Sequence, residues 1–124
     1  MTTVHKHLII RAEVRNVPRY EQNIIDWTKH LIDDIGMKIL LGPYATYCDK
    51  PGNKGFTCAT IIETSHVIVH TWDEQSPALV QVDVYTCGAL DPQTVFDALD
   101  KWEPTKIEYK YLDREKNLKE IKID

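Results

Sequence analysis

A chain of 124 residues is long enough for one compact domain and too short for two independent hydrophobic cores. Hydrophobic residues make up 43% and charged residues 27%, which excludes an intrinsically disordered chain. The 19 acidic and 15 basic side chains form no long run of one sign that would indicate nucleic-acid binding. We therefore predict a single domain over residues 1–124.

The start of the sequence and its cysteines favour a cytoplasmic protein. The first seven residues lack the basic and apolar stretches of a secretory signal, and no segment approaches the roughly 20 apolar residues of a membrane span. The three cysteines, Cys48, Cys58 and Cys87, show neither a CxxC pair nor the even count of a disulfide framework. We expect reduced thiols, no bound metal, and neither a membrane nor a nucleic acid as a partner.

The first part of the chain predicts a strand, a helix and a second strand. Residues 6–14 have the apolar and β-branched content of a strand. Large apolar residues then recur at helical spacings of three and four: Tyr20, Ile24, Trp27, Leu31 and Ile35. Gly36 is expected to end this helix of residues 19–35. Residues 38–47 predict a second strand, whose Gly42-Pro43 pair favours the edge of a sheet or a bulge over a central position.

The middle of the chain predicts three further strands. A loop with proline, two glycines and asparagine occupies residues 49–55. Two strand-like runs follow at 56–63 and 66–72, and Thr64 and Ser65 lie at their junction. The next run alternates between three valines and polar residues, so one of its faces is polar: Gln81, Asp83, Tyr85 and Cys87.

The last part of the chain predicts a second helix and a last strand. Asp91 and Pro92 suit the N-cap and the first position of a helix that ends before Pro104. Residues 107–112 predict the strand, and the charged tail at 114–124 is expected to be frayed.

These elements predict an α+β fold. We expect a two-layer sandwich in which two helices pack on one face of a mostly antiparallel sheet of five or six strands. The other face is left without a cover. Its histidines and cysteine make it a candidate for a dimer interface that contains the active site, although a merely solvated face is as common.

The densest group of reactive side chains lies between residues 63 and 88. It offers the hydroxyl of Ser65, the imidazoles of His66 and His70, and the thiol of Cys87, which together suggest acyl transfer or a metal site. Four residues of strand, about 13 Å, separate the two histidines, which is too far for one metal ion. Ser65 has no Gly-x-Ser-x-Gly elbow around it, so a hydrolase is also disfavoured.

The same residues resemble the motifs of the bacterial and archaeal S-adenosylmethionine decarboxylases. That family carries Glu-Ser-His-x-x-x-His-Thr-Trp-Pro-Glu and, after a short gap, Asp-x-x-Thr-Cys-Gly. This chain has matching segments in the same order: Thr64-Ser65-His66, His70-Thr71-Trp72-Asp73-Glu74 and Asp83-Val84-Tyr85-Thr86-Cys87-Gly88. Lys6-His7-Leu8 is also similar to the family's N-terminal Gly-Lys-His-Leu. The resemblance therefore spans most of the chain.

The resemblance implies a self-processing enzyme. Ser65 would attack the carbonyl carbon of Thr64, so that the chain is cut between these residues and Ser65 becomes a pyruvoyl group. His70 would remove the α-proton in that reaction, and the Thr57 hydroxyl would help to hold the intermediate. The pyruvoyl ketone would then take up the electron pair released as carbon dioxide leaves S-adenosylmethionine, and Cys87 would return a proton to the substrate.

The resemblance also implies the substrate contacts and the partners. Glu74 matches the acid that accepts hydrogen bonds from the ribose hydroxyls, and Val67 and Phe56 complete the expected contacts. The cofactor would be the pyruvoyl group derived from Ser65, and the chain would form a homodimer with active sites at or near the interface. The decarboxylated product would serve spermidine biosynthesis.

Departures from the family pattern keep two other functions open. Thr64 replaces the usual glutamate, and residues 55–58 replace the usual Gly-Val-Ser-Gly. The aromatic residue that packs on adenine is missing near Pro51, and three others are candidates to replace it: Phe56, Tyr47 and Tyr44. The alternatives are a pyruvoyl decarboxylase of arginine or ornithine, and an unprocessed homologue that only binds S-adenosylmethionine.

Overall fold

The computed structural model describes residues 4–63 and 65–123. In this part of the chain the elements are β1 (Lys6–Val14), α1 (Glu21–Asp34), β2 (Ile39–Cys48), β3 (Gly55–Ile62), β4 (Ser65–Trp72), β5 (Ala78–Thr86), α2 (Pro92–Leu99), a short 3₁₀ turn (Asp100–Trp102), β6 (Pro104–Asp113) and β7 (Lys119–Glu120). The seven strands form one antiparallel sheet in the order β2-β3-β4-β5-β1-β6-β7. Both helices share a single core with the sheet, which confirms the predicted α+β sandwich.

The core lies between the helices and one face of the sheet. Three valines of β5 are buried there, as their alternation with polar residues predicts: Val80, Val82 and Val84. Trp27 of α1 stacks on Trp102 with ring centroids 4.1 Å apart, and its indole N–H donates to the carbonyl oxygen of Ala98 at 2.8 Å. These contacts hold α1 against α2 and the 3₁₀ turn. Neither helix of the described residues is long and apolar enough to cross a bilayer.

Glycine and proline lie where the sequence predicts the chain to change direction or the sheet to end. Gly36 follows α1 with φ +77°, a left-handed conformation that glycine adopts easily, and its N–H donates to the carbonyl oxygen of Asp33 at 3.0 Å. β2, which contains Gly42 and Pro43, is an edge strand, and its pairing with β3 shifts register around these residues. Both predictions are confirmed.

The C-terminal segment departs from the prediction. β6 begins at Pro104, three residues earlier than expected. The tail was expected to be frayed, but β7 pairs with the end of β6, and the Ile121 N–H donates to the carbonyl oxygen of Tyr111 at 2.7 Å. The side chain of Ile121 also packs against the core. The frayed-tail prediction is therefore wrong for residues 119–121, because backbone pairing and burial hold them.

The sheet face opposite the helices is called the open face, since no helix of the described residues covers it. Alternation and strand register place the polar side chains of the predicted site on this face: Thr57, His66, His70, Asp83 and Tyr85. Exposed apolar side chains lie among them: Ile9, Leu41, Tyr44 and Ile61. The open face thus combines reactive groups with apolar surface.

Candidate functional site

Thr57 and His70 form a hydroxyl–imidazole pair on the open face. They face each other in the register of β3 and β4, and the Thr57 Oγ1 lies 3.0 Å from His70 Nδ1. Both side chains are half-buried. The hydrogen bond orients the imidazole, as a group that transfers a proton requires.

Two small pockets flank Trp72 at this end of β4. The first has a volume of about 290 Å³ and is lined by Cys48, Asn53, Gly55, Phe56, Thr57, His70, Thr71 and Trp72. The second, of about 310 Å³, is lined by Gly52, Trp72, Glu74, Gln75 and Leu79. The indole N–H of Trp72 donates to Asn53 Oδ1 at 2.8 Å, which holds the ring between the pockets. Each pocket is at the small end of the range for ligand sites.

Ser65 is the first residue of β4 and pairs with Ile62 across the β3–β4 turn. Thr64, and with it the predicted Thr64–Ser65 cleavage site, lies outside the described residues. The Ser65 Oγ is buried and has no hydrogen-bond partner among the residues that the structure describes. Leaving a buried hydroxyl unpaired costs about 1–3 kcal/mol, so such a group in a native fold needs an explanation.

Cys87 follows β5 and contacts two groups that can exchange protons with it. Its Sγ lies 3.3 Å from the Nδ1 of His5 and 4.0 Å from the Tyr85 hydroxyl, and these two groups are 3.0 Å apart. Burial, and then the hydrogen bond with Cys87, raise the pKa of Tyr85, whereas the Arg114 guanidinium 4.0 Å from the ring centroid opposes this shift. Tyr85 therefore remains a hydrogen-bond donor at neutral pH.

Asp83 joins two histidines beside this group. Its Oδ1 lies 2.6 Å from His7 Nε2 and 3.1 Å from His66 Nε2. These three residues are of the types that hold zinc, and their ligand atoms lie within 4.8 Å of one another. Arg114 faces the Nδ1 of His7 at 3.4 Å, so that nitrogen accepts and the Nε2 proton is donated to Asp83. The hydrogen bonds thus use the nitrogen atoms that a metal ion would need.

The structure does not bring all predicted catalytic residues together within one chain. Ser65 and His70 are five residues apart on β4, which is about 16 Å. Cys87 lies at the Ser65 end, because Tyr85 pairs with His66. The site residues therefore form two groups at opposite ends of β4, with Ser65 and Cys87 in one and Thr57 and His70 in the other.

Comparison with known proteins identifies the family. A family model described as S-adenosylmethionine decarboxylase matches residues 10–115. This chain belongs to the S-adenosylmethionine decarboxylase family. The S-adenosylmethionine decarboxylase proenzyme of Pyrobaculum arsenaticum is 45% identical over 64 residues, which are 50% of this chain and 50% of that protein. The proenzyme of Thermoplasma acidophilum is 43% identical over 58 residues, 44% of this chain and 41% of that protein. The chain thus spans about half the length of the curated relatives it matches.

A solved structure shares the fold of this family member. The crystal structure of the adenosylmethionine decarboxylase from Aquifex aeolicus matches with a TM-score of 0.67 over 92% of each chain, at 22% sequence identity. At this identity the likeness shows the fold. Two helices on one seven-stranded antiparallel sheet are therefore the architecture on which the predicted site residues of this S-adenosylmethionine decarboxylase family member are arranged.

The predicted substrate contacts lie in different surroundings. Glu74 is exposed, lines the second pocket and accepts a hydrogen bond from the Lys54 N–H at 3.2 Å. Val67 is fully buried in the core, so its side chain does not reach the open face. Phe56 is 6% exposed, lines the first pocket and meets Tyr47 edge to face at 4.9 Å. Substrate contact by Val67 and Phe56 remains a prediction.

The other two aromatic candidates differ in how firmly they are held. The Tyr47 hydroxyl donates to Asp73 Oδ1 at 3.1 Å, and partial burial, followed by this hydrogen bond, raises the pKa of Tyr47. Tyr44 is 67% exposed on the edge strand. Tyr44 therefore has the more accessible ring, and Tyr47 the better fixed one.

Sequence reasoning assigned no function to His5 or Arg114, which both contact the Cys87 end of the site. They lie in segments before β1 and after β6, far along the chain from Tyr85 and Cys87. The alternation of β5 predicted that Tyr85 and Cys87 share the polar face. Only the pairing of β5 with β1, and of β1 with β6, adds the other two residues.

Proposed function

We propose that this protein is a proenzyme that cuts itself before Ser65 and then decarboxylates S-adenosylmethionine. The observation that carries the proposal is the buried Ser65 hydroxyl, which has no partner among the described residues of a chain from this family. A hydroxyl held without a hydrogen bond keeps its lone pairs available for attack on the preceding carbonyl carbon. The proenzyme names of the curated relatives also support self-processing.

The residues present fit a pyruvoyl group at position 65. Conversion of Ser65 removes the unpaired hydroxyl and with it the cost of burying that group. Once formed, the group supplies the electron sink that decarboxylation requires. Cys87 at the same end of β4 is the proton donor to the substrate, and His70, oriented by Thr57, is the base that assists the formation of the group.

A second copy of the chain would bridge the distance of about 16 Å between the two groups. In a twofold dimer whose open faces meet with their β4 strands antiparallel, His70 of the second copy comes to the Ser65 end of β4 in the first, and the reverse contact forms by symmetry. Two complete sites then form per dimer. The exposed apolar side chains of the open face and the small size of each pocket support this homodimer.

The pockets suit a nucleoside with a charged tail. Trp72 offers a ring between them, the Glu74 carboxylate suits ribose hydroxyls, and Tyr47 or Tyr44 offers a second ring for the base. Decarboxylated S-adenosylmethionine is an aminopropyl donor, so the product serves spermidine synthesis. A cytoplasmic location belongs to this proposal, because it keeps thiols such as Cys48 reduced.

Denaturing mass spectrometry of the purified protein tests self-processing. We expect two fragments of about 7 kDa in place of the 14.4 kDa chain, the second without a free amine, and an intact Ser65→Ala control. An intact wild-type chain after long incubation would support the unprocessed binding homologue instead.

Release of labelled carbon dioxide then identifies the substrate. We expect release from S-adenosylmethionine and none from arginine or ornithine, with the Ser65→Ala variant as the blank. Release from either amino acid in place of S-adenosylmethionine would favour the alternative decarboxylase.

A further inference from the structure

Strand register brings His5 to Cys87. β1 and β5 are antiparallel, and Lys6 pairs with Thr86. His5 and Cys87 are the next residues outward on each strand, so they fall side by side, and the imidazole Nδ1 approaches the sulfur to 3.3 Å. The His5 ring also stacks on Tyr85 with centroids 6.2 Å apart and planes inclined by 26°. The ring is thus oriented by two neighbours.

The three groups have hydrogen-bond partners in both protonation states of the thiol. When the Nδ1 of His5 carries no proton, it accepts from the Cys87 S–H or from the Tyr85 hydroxyl, which lie 3.3 and 3.0 Å away. When Nδ1 is protonated, it donates to a Cys87 thiolate, and the Tyr85 hydroxyl, 4.0 Å from the sulfur, is a second donor. The geometry therefore stabilises both thiol and thiolate.

We infer that His5 is a positioning residue that controls the protonation of Cys87. The inference rests on the proposed function, in which Cys87 protonates the substrate. Cys87 gives its S–H proton to the α-carbon, where a C–H bond forms as the carboxylate leaves as carbon dioxide. The thiolate remains beside His5, and the pair regains one proton from a solvent acid. The net change replaces the carboxylate by hydrogen, and no electron is gained or lost by the protein.

Other charged and titratable groups near this pair stay the same when only His5 is changed. Among the described residues they include Tyr85 and Asp83 on β5, His7 on β1, His66 on β4 and Arg114 after β6. Arg114 carries a fixed charge, and Asp83 is engaged by the two histidines. Any change in the pH dependence of Cys87 in a His5 variant therefore reports on the imidazole itself.

The test measures the alkylation rate of Cys87 with iodoacetamide as a function of pH, by mass spectrometry of peptides. It uses the full-length Ser65→Ala chain, which stays in one state throughout. The variants are His5→Asn, which keeps a hydrogen-bonding group near the position of Nδ1 but carries no exchangeable charge, and His5→Ala. His30→Gln, at an exposed position of α1, is the matched control, and Cys48 is the internal reference thiol.

We expect both His5 variants to alkylate about tenfold more slowly at pH 7, with the pH midpoint raised by about one unit, because an adjacent imidazolium favours the thiolate. The control variant and Cys48 should keep their rates. Retention of the wild-type rate and pH midpoint by His5→Asn would overturn the inference, since a hydrogen bond alone would then suffice.

The decarboxylation assay separates this inference from the proposed function. In the processed enzyme, His5→Asn should lower kcat about tenfold with little change in KM, because His5 acts through Cys87 after binding. A wild-type protein that releases no carbon dioxide would end the proposed function and leave the alkylation result to decide on His5. An active wild-type enzyme with an unchanged His5→Asn pH profile would end the inference alone.

Discussion

Two buried hydroxyls of the described residues lack hydrogen-bond partners, those of Ser65 and Thr60. Removing such a group leaves no other atom unsatisfied and ends the cost of burying it, so the free energy of unfolding should stay the same or rise slightly. Thr60→Val is the matched control for Ser65→Ala, because both substitutions delete an unpaired hydroxyl from neighbouring strands. We expect Thr60→Val to cut itself fully and Ser65→Ala to stay whole in denaturing mass spectrometry.

Urea unfolding checks the stability half of this prediction. The comparison is between Ser65→Ala and the double variant with Thr60→Val, because both chains are uncut. A loss well above 1 kcal/mol in the double variant would mean that the Thr60 hydroxyl is bonded in solution. A cut Ser65→Ala chain would remove Ser65 from the chemistry altogether.

The sequence was enough to predict which reactive side chains lie on the polar face of a strand. It was only partly enough to predict which of them come together in space. Alternation placed Asp83 and Tyr85 on one face of β5, and burial confirms it. The rise per residue of a strand separates His66 from His70, and it separates Ser65 from His70 in the same way. The separation of the site residues into two groups could therefore be predicted from the sequence. The contact of His5 with Cys87 spans 82 positions and depends on strand register, which local pattern does not specify.

The β3–β4 hairpin holds the Thr57–His70 pair, and Gly55 sets how closely its strands approach. A Cβ at Gly55 would collide with the carbonyl group of Thr71 on β4, whereas a Cβ at Gly52 meets nothing within 4 Å. We expect Gly55→Ala to cost about 3 kcal/mol or more in the free energy of unfolding and to slow self-cleavage, because it pushes the strands apart beside the pair.

Gly52→Ala is the matched control for the hairpin. Gly52 has φ +88°, so alanine there costs only the backbone strain, about 1 kcal/mol. Chemical denaturation of both variants in the uncut Ser65→Ala background measures the difference. Equal losses would show that the strands relax without strain around the added methyl group.

Strands with strong local signals were predicted closely, and the short strand without such a signal was not. Residues 6–14 were predicted as a strand and form β1, and Gly42-Pro43 correctly placed β2 at an edge. β7 has only two residues and a charged sequence, so nothing local favours a strand. Its pairing with β6 exists because the chain turns back onto that edge.

At the scale of the whole molecule, the proposed homodimer brings the two ends of β4 together between chains, and mixed dimers test this directly. A dimer of one Ser65→Ala chain and one His70→Ala chain has one complete site, made of Ser65 from the His70→Ala chain and His70 from the other. We expect the His70→Ala chain to be cut in this mixture, although neither variant cuts itself alone. A removed general base slows the reaction by about 10² to 10⁴, so the separate variants give a clear background.

The identity of the cut chain decides between cooperation of two copies and action within one. Random pairing of equal amounts of the two variants places about half of the His70→Ala chains in mixed dimers, so about half should be cut and every Ser65→Ala chain should stay whole. Mass spectrometry distinguishes the two chains without labels. If co-expression yields no fragments, each chain must bring its own His70 to Ser65. That would require the β3–β4 hairpin to rearrange over a distance of about 16 Å, which its continuous pairing opposes.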